Sequence, residues 1–505
     1  MTKIAVERAL ISVSDKRGLI PFAGALVERG IEIVSSGGTA SHLEQAGLAV
    51  TPVAEVTGAP EMLGGRVKTL HPHIHGGVLA DLGNEDHRKD LAEHDIHPFQ
   101  LVVSSLYPFE QTIAQGSDRA QAIEQIDIGG PTLIRAAAKN HAWVAVVVSP
   151  DRYGDIIEAL ESGGTTLELR LDLAREAFFR TAEYDAAIVN WFERDGAQRL
   201  VLPLTKQASL RYGENPHQEA ALYSIGSSQG WWAEGSQLQG KRMSFNNYAD
   251  ADAAWNLAAD LPAGSVAILK HMNACGAAYG RSMFEAFEKA WACDPLSAFG
   301  GVVALNAELD VDTAEAVAEH FVEIVIAPAI TAGARAVLAK KENVRVFVAP
   351  PPSPFDLDIR SIDDGFLVQK SDRVEGRSDR WESMARPASA TELADLDIAW
   401  VVAAHTKSNA VVLVKDGATV GVGAGDQSRV GAAERALVKA GDRARGSVCA
   451  SDAFFPFRDG PDALAVAGIT AIVEPGGSIR DSEVVESANE HGISLLFTGE
   501  RHFKH

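Results

Sequence analysis

Lys68, Tyr107, Asp127 and Lys139 bring two ammonium groups, a phenol and a carboxylate to the first part of the chain, with no nucleophile–base pair beside them. Such a set suits proton movement and oxyanion stabilisation, not covalent catalysis. Lys68 stands in RVKTLHPHIHGG (66–77), where Arg66 and Lys68 at i, i+2 share one face of an extended segment. His71, His73 and His75 repeat that spacing, which leaves zinc binding open. The lack of a nearby acidic or cysteine partner, and Pro72, favour a polar loop packed by histidines. Asp127 directly precedes Ile128 and the pair Gly129–Gly130, at the mouth of a helix over 133–139 on which Arg135 and Lys139 share a face. A capped helix with a solvated basic stripe is the competing reading.

Two passages after apolar runs have the form of phosphate cradles. SVSDK (12–16) offers the Ser12 and Ser14 hydroxyls and Lys16. SSGGT (35–39) puts Gly37 and Gly38 where backbone amides can approach an anion, with Thr39 opening a helix whose positive end favours the same charge. In the second half, Lys270 and His271 end the apolar run of ILKHMNACG, where a strand delivers polar side chains to a cleft. A histidine there can exchange protons near neutral pH. Asn409, beside Lys407, can hydrogen-bond a carbonyl. SDAFFPFRD (451–459) joins Phe454, Phe455 and Phe457 to Asp459, although most phenylalanine triplets are core. The closing RHFKH (501–505) is rich in ligating groups for a tail.

These groups need elements to hold them. Apolar runs at 9–13, 31–35, 101–104 and 144–148 alternate with helical patterns at 18–29 and 40–46, which predicts an open, doubly wound, mostly parallel sheet. Ligands in such sheets bind beyond the carboxyl ends of the strands, where the motifs fall. A helix over 166–192 closes this part. VLPLTKQASLRYGENPHQ forms the junction, and the proline-rich 349–358 breaks any regular element. The expected domains are 1–200, 201–360 and 361–505, the last two with a weak echo of duplicated α/β units.

At 505 residues the chain is long enough for several domains. A hydrophobic content of 46% and a charged content of 23% suit a globular protein. A net charge of -22 argues against a general nucleic-acid binder, while focused Lys and Arg can still hold a small anion. Three scattered cysteines suggest a reducing compartment. No signal-peptide h-region and no apolar stretch of roughly 18 residues is present, so a cytoplasmic protein without membrane contact is expected.

In order and spacing, SVSDK, SSGGT, RVKTLHP, LYPF, IDIGG, RAAAKNH, LRYGENPHQ, LKH, SNAVV, GAGDQSR, SDAFFPFRD and RHFKH make the chain resemble one family over nearly its whole length. It is the bifunctional family with aminoimidazole-carboxamide ribonucleotide (AICAR) formyltransferase and inosine-monophosphate (IMP) cyclohydrolase activities. The resemblance implies an α/β fold, with an N-terminal methylglyoxal-synthase-like domain for cyclisation and two cytidine-deaminase-like units for formyl transfer. It implies 10-formyltetrahydrofolate as co-substrate, no catalytic metal, and a homodimer with transformylase sites at the interface. Carried onto matching positions, Lys68, Tyr107, Asp127 and Lys139 would catalyse ring closure. Ser12, Ser14, Lys16, Ser36, Gly37, Gly38, Thr39, Arg66, Thr69 and Gly129 would hold that nucleotide. Lys270, His271 and Asn409 would catalyse formyl transfer. Arg211, Tyr212, Asn247, Gly300, Glu323, Arg501 and Phe503 would surround its nucleotide, with Phe454 and Asp459 facing the folate. Three positions depart from the family pattern: Ser105 where asparagine is common, Ala274 where proline is frequent, and Arg17 where a small hydroxyl residue is frequent. A single-activity relative and a nucleotide-sensing protein on the same cradles are the rival readings.

Overall fold

In a computed structural model of the protein, residues 3–63, 66–193, 198–225, 230–233, 235–353, 355–376 and 378–505 are described. The chain divides into two compact units, Met1–Thr205 and Lys206–His505. The first unit is built on a five-stranded, all-parallel sheet. Its spatial order is Thr51–Pro52, Glu32–Ser35, Arg8–Val13, Leu101–Ser105 and Ala145–Val147. Alternate residues of each strand feed two cores, as the two-residue period of a strand requires. Leu10, Val34, Val102 and Val146 face one, and Ile11, Ile33, Val103 and Val147 the other. The expected doubly wound sheet is therefore present, with helices on both faces.

Two local expectations change. The helix predicted over 40–46 starts earlier, at Gly37, and runs to Gln45. The segment holding the three histidines is not extended. Pro72 occupies the first turn of helix Pro72–Leu79, where its missing N–H costs nothing, and His71 caps it by accepting the His73 amide at 3.2 Å. His73 Nδ1 lies 3.0 Å from the Val56 carbonyl oxygen, and His75 is held below the ordinary histidine range by burial. The rings accordingly serve the helix and its neighbours instead of lining one face.

The second unit carries a twelve-stranded mixed sheet. Its chain path repeats. Helix Phe245–Asp260, hairpin Ser265–Lys270/Asn273–Tyr279 and helix Met283–Trp291 lead to three parallel strands, Val302–Leu305, Ile324–Ala327 and Arg345–Val348. Helix Ala390–Ala404, hairpin Val411–Lys415/Ala418–Gly423 and helix Arg429–Ala440 lead likewise to Val448–Ser451, Ala471–Glu474 and Ser494–Phe497. The copies join where the two hairpins pair antiparallel, Ala278 opposite Ala418. Between them in sequence stands a separate two-stranded ribbon, Leu357–Ile362 and Gly365–Lys370. Among the described residues no helix is long and apolar enough to cross a membrane.

Candidate active sites

The first cluster forms where three parallel strands end. The Thr39 hydroxyl donates to the Val13 carbonyl at 3.0 Å and accepts from the Val13 amide at 3.1 Å, locking SSGGT to SVSDK. That hydroxyl serves the fold, and what Thr39 offers an anion is its place in the first turn of helix Gly37–Gln45. Ser105 Oγ accepts the amides of Ser14 at 2.8 Å and Asp15 at 3.0 Å, tying the LYPF turn to the same loop. Ser12 and Ser36 are half-buried at the strand ends, and Lys16 Nζ donates to the Val13 carbonyl at 3.4 Å.

Asp127 is the best-held group here. The amides of Gly130, Tyr107 and Gly129 all donate to its carboxylate, Gly130 at 2.8 Å. Burial pushes this carboxyl above its ordinary range, against the pull of those amides. A side chain at Gly130 would collide with Asp127 Oδ2. Segment 66–69 spans from this loop to the glycine loop. A Cβ on Gly129 would sit 3.5 Å from Thr69 Oγ1, and one on Gly37 only 2.6 Å from Lys68 Nζ. Lys68 Nζ lies 3.3 Å from Glu61 Oε2, and the space around Gly38 is open. Lys68, Thr69, Tyr107, Asp127 and Gly129 therefore converge on the two cradles.

Two expected members do not. Arg66 turns outward into an exposed ion pair with Glu124. Lys139 ends the helix that Gly129 begins, about 15 Å along its axis at 1.5 Å per residue. Within one chain it stands at the far end of that helix from Asp127. Sequence reasoning missed Tyr184, a fully buried residue of helix Leu167–Phe192. Its hydroxyl accepts the Asp127 amide at 2.7 Å and donates to the Gln125 carbonyl at 3.0 Å. No local motif announces a tyrosine that acts from so far along the chain.

In the second unit, Lys270 ends the first strand of a hairpin and His271 follows in its turn. Lys270 Nζ donates to the Phe299 carbonyl at 2.7 Å and lies 4.0 Å from where a Cβ on Gly300 would be. Asn247 Nδ2 donates to Glu323 Oε2 at 3.2 Å, and the same oxygen accepts from Arg345 at 3.1 Å. The Asp250 carboxylate, one turn beyond Asn247, accepts the amides of Met272, at 2.8 Å, and His271. Asn273 then links this turn to the other copy. Its Nδ2 donates to the His271 carbonyl at 3.0 Å, and its Oδ1 accepts the Lys407 amide at 3.0 Å.

Lys407 leads to Asn409. Asn409 Oδ1 accepts from Arg429 at 2.6 Å, and its Nδ2 donates to the Asp426 carbonyl at 2.8 Å. Arg429 is itself buried against Asp452 and Ser451. The tail closes the network. Ser408 donates its amide to the Lys504 carbonyl at 2.9 Å, Ser408 Oγ accepts the Lys504 amide at 3.1 Å, and the His502 amide donates to the Asp452 carbonyl at 3.1 Å. RHFKH is thus tied down, with His502 Nδ1 also 2.7 Å from Asp372 Oδ2. Asp250, Asn273 and Arg429 were not foreseen. The motif GAGDQSR contained the last of them.

The remaining expected residues have the following local surroundings. The hairpin tip bearing Arg211 and Tyr212, its guanidinium 5.5 Å from its neighbour's ring centre, approaches helix Phe245–Asp260 through Asn246 Nδ2, 3.4 Å from the Glu214 carbonyl oxygen. Arg501 lies 4.8 Å over the exposed ring of Phe503. The phenylalanine triplet splits: Phe455 is core, Phe457 lies exposed under Arg480, and Phe454 is half-buried. Asp459 opens helix Asp459–Val466 and accepts the Gly460 amide at 2.8 Å.

Comparison with known proteins matches two family models, and the boundary between them lies within the first unit. A family model described as an MGS-like domain matches residues 18–132, and one described as AICARFT/IMPCHase bienzyme matches residues 137–439. The Bifunctional purine biosynthesis protein PurH of Corynebacterium glutamicum is 50% identical over 99% of this chain and 99% of its own length. Those of Rhodospirillum rubrum, at 50%, and Mycobacterium marinum, at 48%, align over 99% of this chain and 99% and 98% of their own. The solved structure of ForH shares 36% identity across 38% of this chain and 99% of its own, with a TM-score of 0.34. Full-length identity at this level, together with the matched bienzyme model, shows that the chain belongs to the AICARFT/IMPCHase bienzyme family, which carries out the last two steps of IMP synthesis.

Proposed function

We propose that the two side-chain clusters are the two catalytic centres of this bifunctional enzyme, the first closing the purine ring and the second transferring the formyl group. The formyl donor is a folate, and we assign it as 10-formyltetrahydrofolate. In the second centre the 5-amino nitrogen of AICAR attacks the formyl carbon, the new C–N bond forms, and the bond to folate N10 breaks. His271 carries the amine proton toward N10, while Lys270 and the free N–H of the Asn409 amide stabilise the oxyanion that develops on the formyl oxygen. The observation that best supports this is the Asn273 side chain, which couples the His271 turn to the Lys407–Asn409 segment at 3.0 Å on each side.

In the first centre the carboxamide nitrogen attacks the formyl carbon and water leaves. Holding the substrate folded is the main contribution, since the attack is intramolecular. Asp127, its carboxyl raised by burial, accepts the nitrogen proton, Lys68 faces the developing oxyanion, and Tyr107 orients the ring. Ser12, Ser14, Lys16, Ser36, Gly37, Gly38 and Thr39 hold the 5′-phosphate between the two cradles, and Thr69 and Gly129 flank the base. Lys139 takes part only if it comes from a second copy of the chain. A homodimer is in keeping with the two-stranded ribbon at 357–370, whose strand Gly365–Lys370 exposes Phe366, Leu367 and Val368. Three buried free thiols, Cys275, Cys293 and Cys449, support a cytoplasmic setting. The test is direct. Purified protein given AICAR and 10-formyltetrahydrofolate is expected to yield IMP, and substrate consumed without IMP, or no turnover at all, would refute the assignment.

A further inference from the structure

The turn that presents His271 is an unusual one. Lys270 and Asn273 are directly paired across the hairpin, so His271 and Met272 are its two loop residues, with φ of 53° and 62°. Two consecutive positive φ values belong to the hairpin turn that normally takes Asn, Asp or Gly, because a Cβ is crowded there. The duplicated copy makes the same turn with residues that suit it. Lys415 pairs with Ala418, and the loop is Asp416, φ 53°, and Gly417, φ 77°.

Both turns are held from the same place. Asp250 is the sixth residue of helix Phe245–Asp260, and its carboxylate accepts the Met272 amide at 2.8 Å and the His271 amide. Asp395 is the sixth residue of helix Ala390–Ala404 and accepts the Asp416 amide at 2.9 Å and the Gly417 amide at 2.7 Å. Both helices also begin with a capping box, from Ser244 with Asn247 and from Ser389 with Glu392. The fold thus contains one turn-holding carboxylate twice, once under a favourable loop and once under a bulky, unfavourable one.

We propose that Asp250 is a positioning residue for formyl transfer, whose carboxylate grips the two loop amides and so keeps the His271 imidazole at the cleft in a backbone conformation its own sequence disfavours. Asp395 performs the same structural task at a loop that carries no catalytic side chain, and it provides an internal control. The proposal rests on the assignment of His271 to formyl transfer.

The experiment compares Asp250→Asn with Asp395→Asn in the full-length protein. An amide can accept one loop N–H and opposes the other. For Asp250→Asn the expected result is a fall in formyl-transfer kcat of about tenfold to a hundredfold, from displacement of a reacting group by a fraction of an ångström to an ångström. KM for AICAR stays within about twofold, as does ring closure of supplied formyl-AICAR. Asp395→Asn is expected to keep formyl transfer within about twofold even where its thermal midpoint falls as far. Wild-type kcat in Asp250→Asn, a loss confined to KM, or equal losses in both variants would overturn the proposal. Should Asp250→Asn not fold, Asp250→Glu retains the charge displaced by one methylene, and it must show the same kcat-only loss. Absence of formyl transfer in the wild type would instead refute the assignment of the cluster, a result distinguishable from every variant outcome.

Discussion

At Gly37 two requirements meet in one residue. Its φ of +53° lies in the left-handed region, and Lys68 Nζ occupies the space where a Cβ would be, 2.6 Å away. Gly37→Ala is expected to cost about 1–2 kcal/mol of stability through the backbone. The ammonium is the far end of a flexible chain, so the steric conflict resolves by moving Lys68. Ring closure of formyl-AICAR is therefore expected to fall by about tenfold or more, while formyl transfer, measured on the same preparation, stays unchanged. Lys68, Asp127 and the glycine cradles were legible because each lies in a short polar motif, the cradles directly after strands. The histidines at 71, 73 and 75 were not. Their i, i+2 spacing has meaning only on a strand, and Pro72 starts a helix there. Arg66 has the right charge, but Glu124 holds it elsewhere.

On the scale of elements, the loop after strand Val448–Ser451 depends on a neighbouring strand's end. Glu474 Oε2 accepts the Phe455 amide at 2.6 Å, and its side chain is fully buried. Burial pushes its carboxyl from 4.5 up to about 8. The unfolded chain releases that proton near 4.5, while the folded chain keeps it until about 8. Within this window the native state binds more protons, so stability falls as pH rises and levels off above it. Glu474→Gln keeps an acceptor for Phe455 and has no proton to lose. The difference in thermal midpoint between variant and wild type is expected to widen in the variant's favour from about pH 5 to about pH 8.5. Parallel curves would show that Glu474 is ionised in the native protein. Element positions were largely legible from apolar periodicity, although helix Gly37–Gln45 starts earlier than expected and helix Pro72–Leu79, capped by His71, was not foreseen. The tail's role was not, because it rests on backbone bonds from His502 and Lys504 to residues about 50 and 100 positions away.

For the whole molecule, the duplicated architecture of the second unit left only a weak echo in the sequence. Lys270–His271–Met272 and Lys415–Asp416–Gly417 share a turn yet hardly a side chain, so the repeat is far plainer in the path of the chain than in its letters. That each unit carries its own set of cationic and hydrogen-bonding motifs was legible in the sequence. Full-length likeness to bifunctional relatives places two activities on one chain. Independence of the two centres is checked by single-residue variants of each. His271→Ala and Asp127→Asn, purified in parallel, are to be assayed for formyl transfer to AICAR and, separately, for closure of supplied formyl-AICAR. His271→Ala is expected to lose formyl transfer by about a hundredfold or more and to close the ring at the wild-type rate, with the reverse pattern for Asp127→Asn. Either variant losing both activities, or neither, while remaining folded would contradict it.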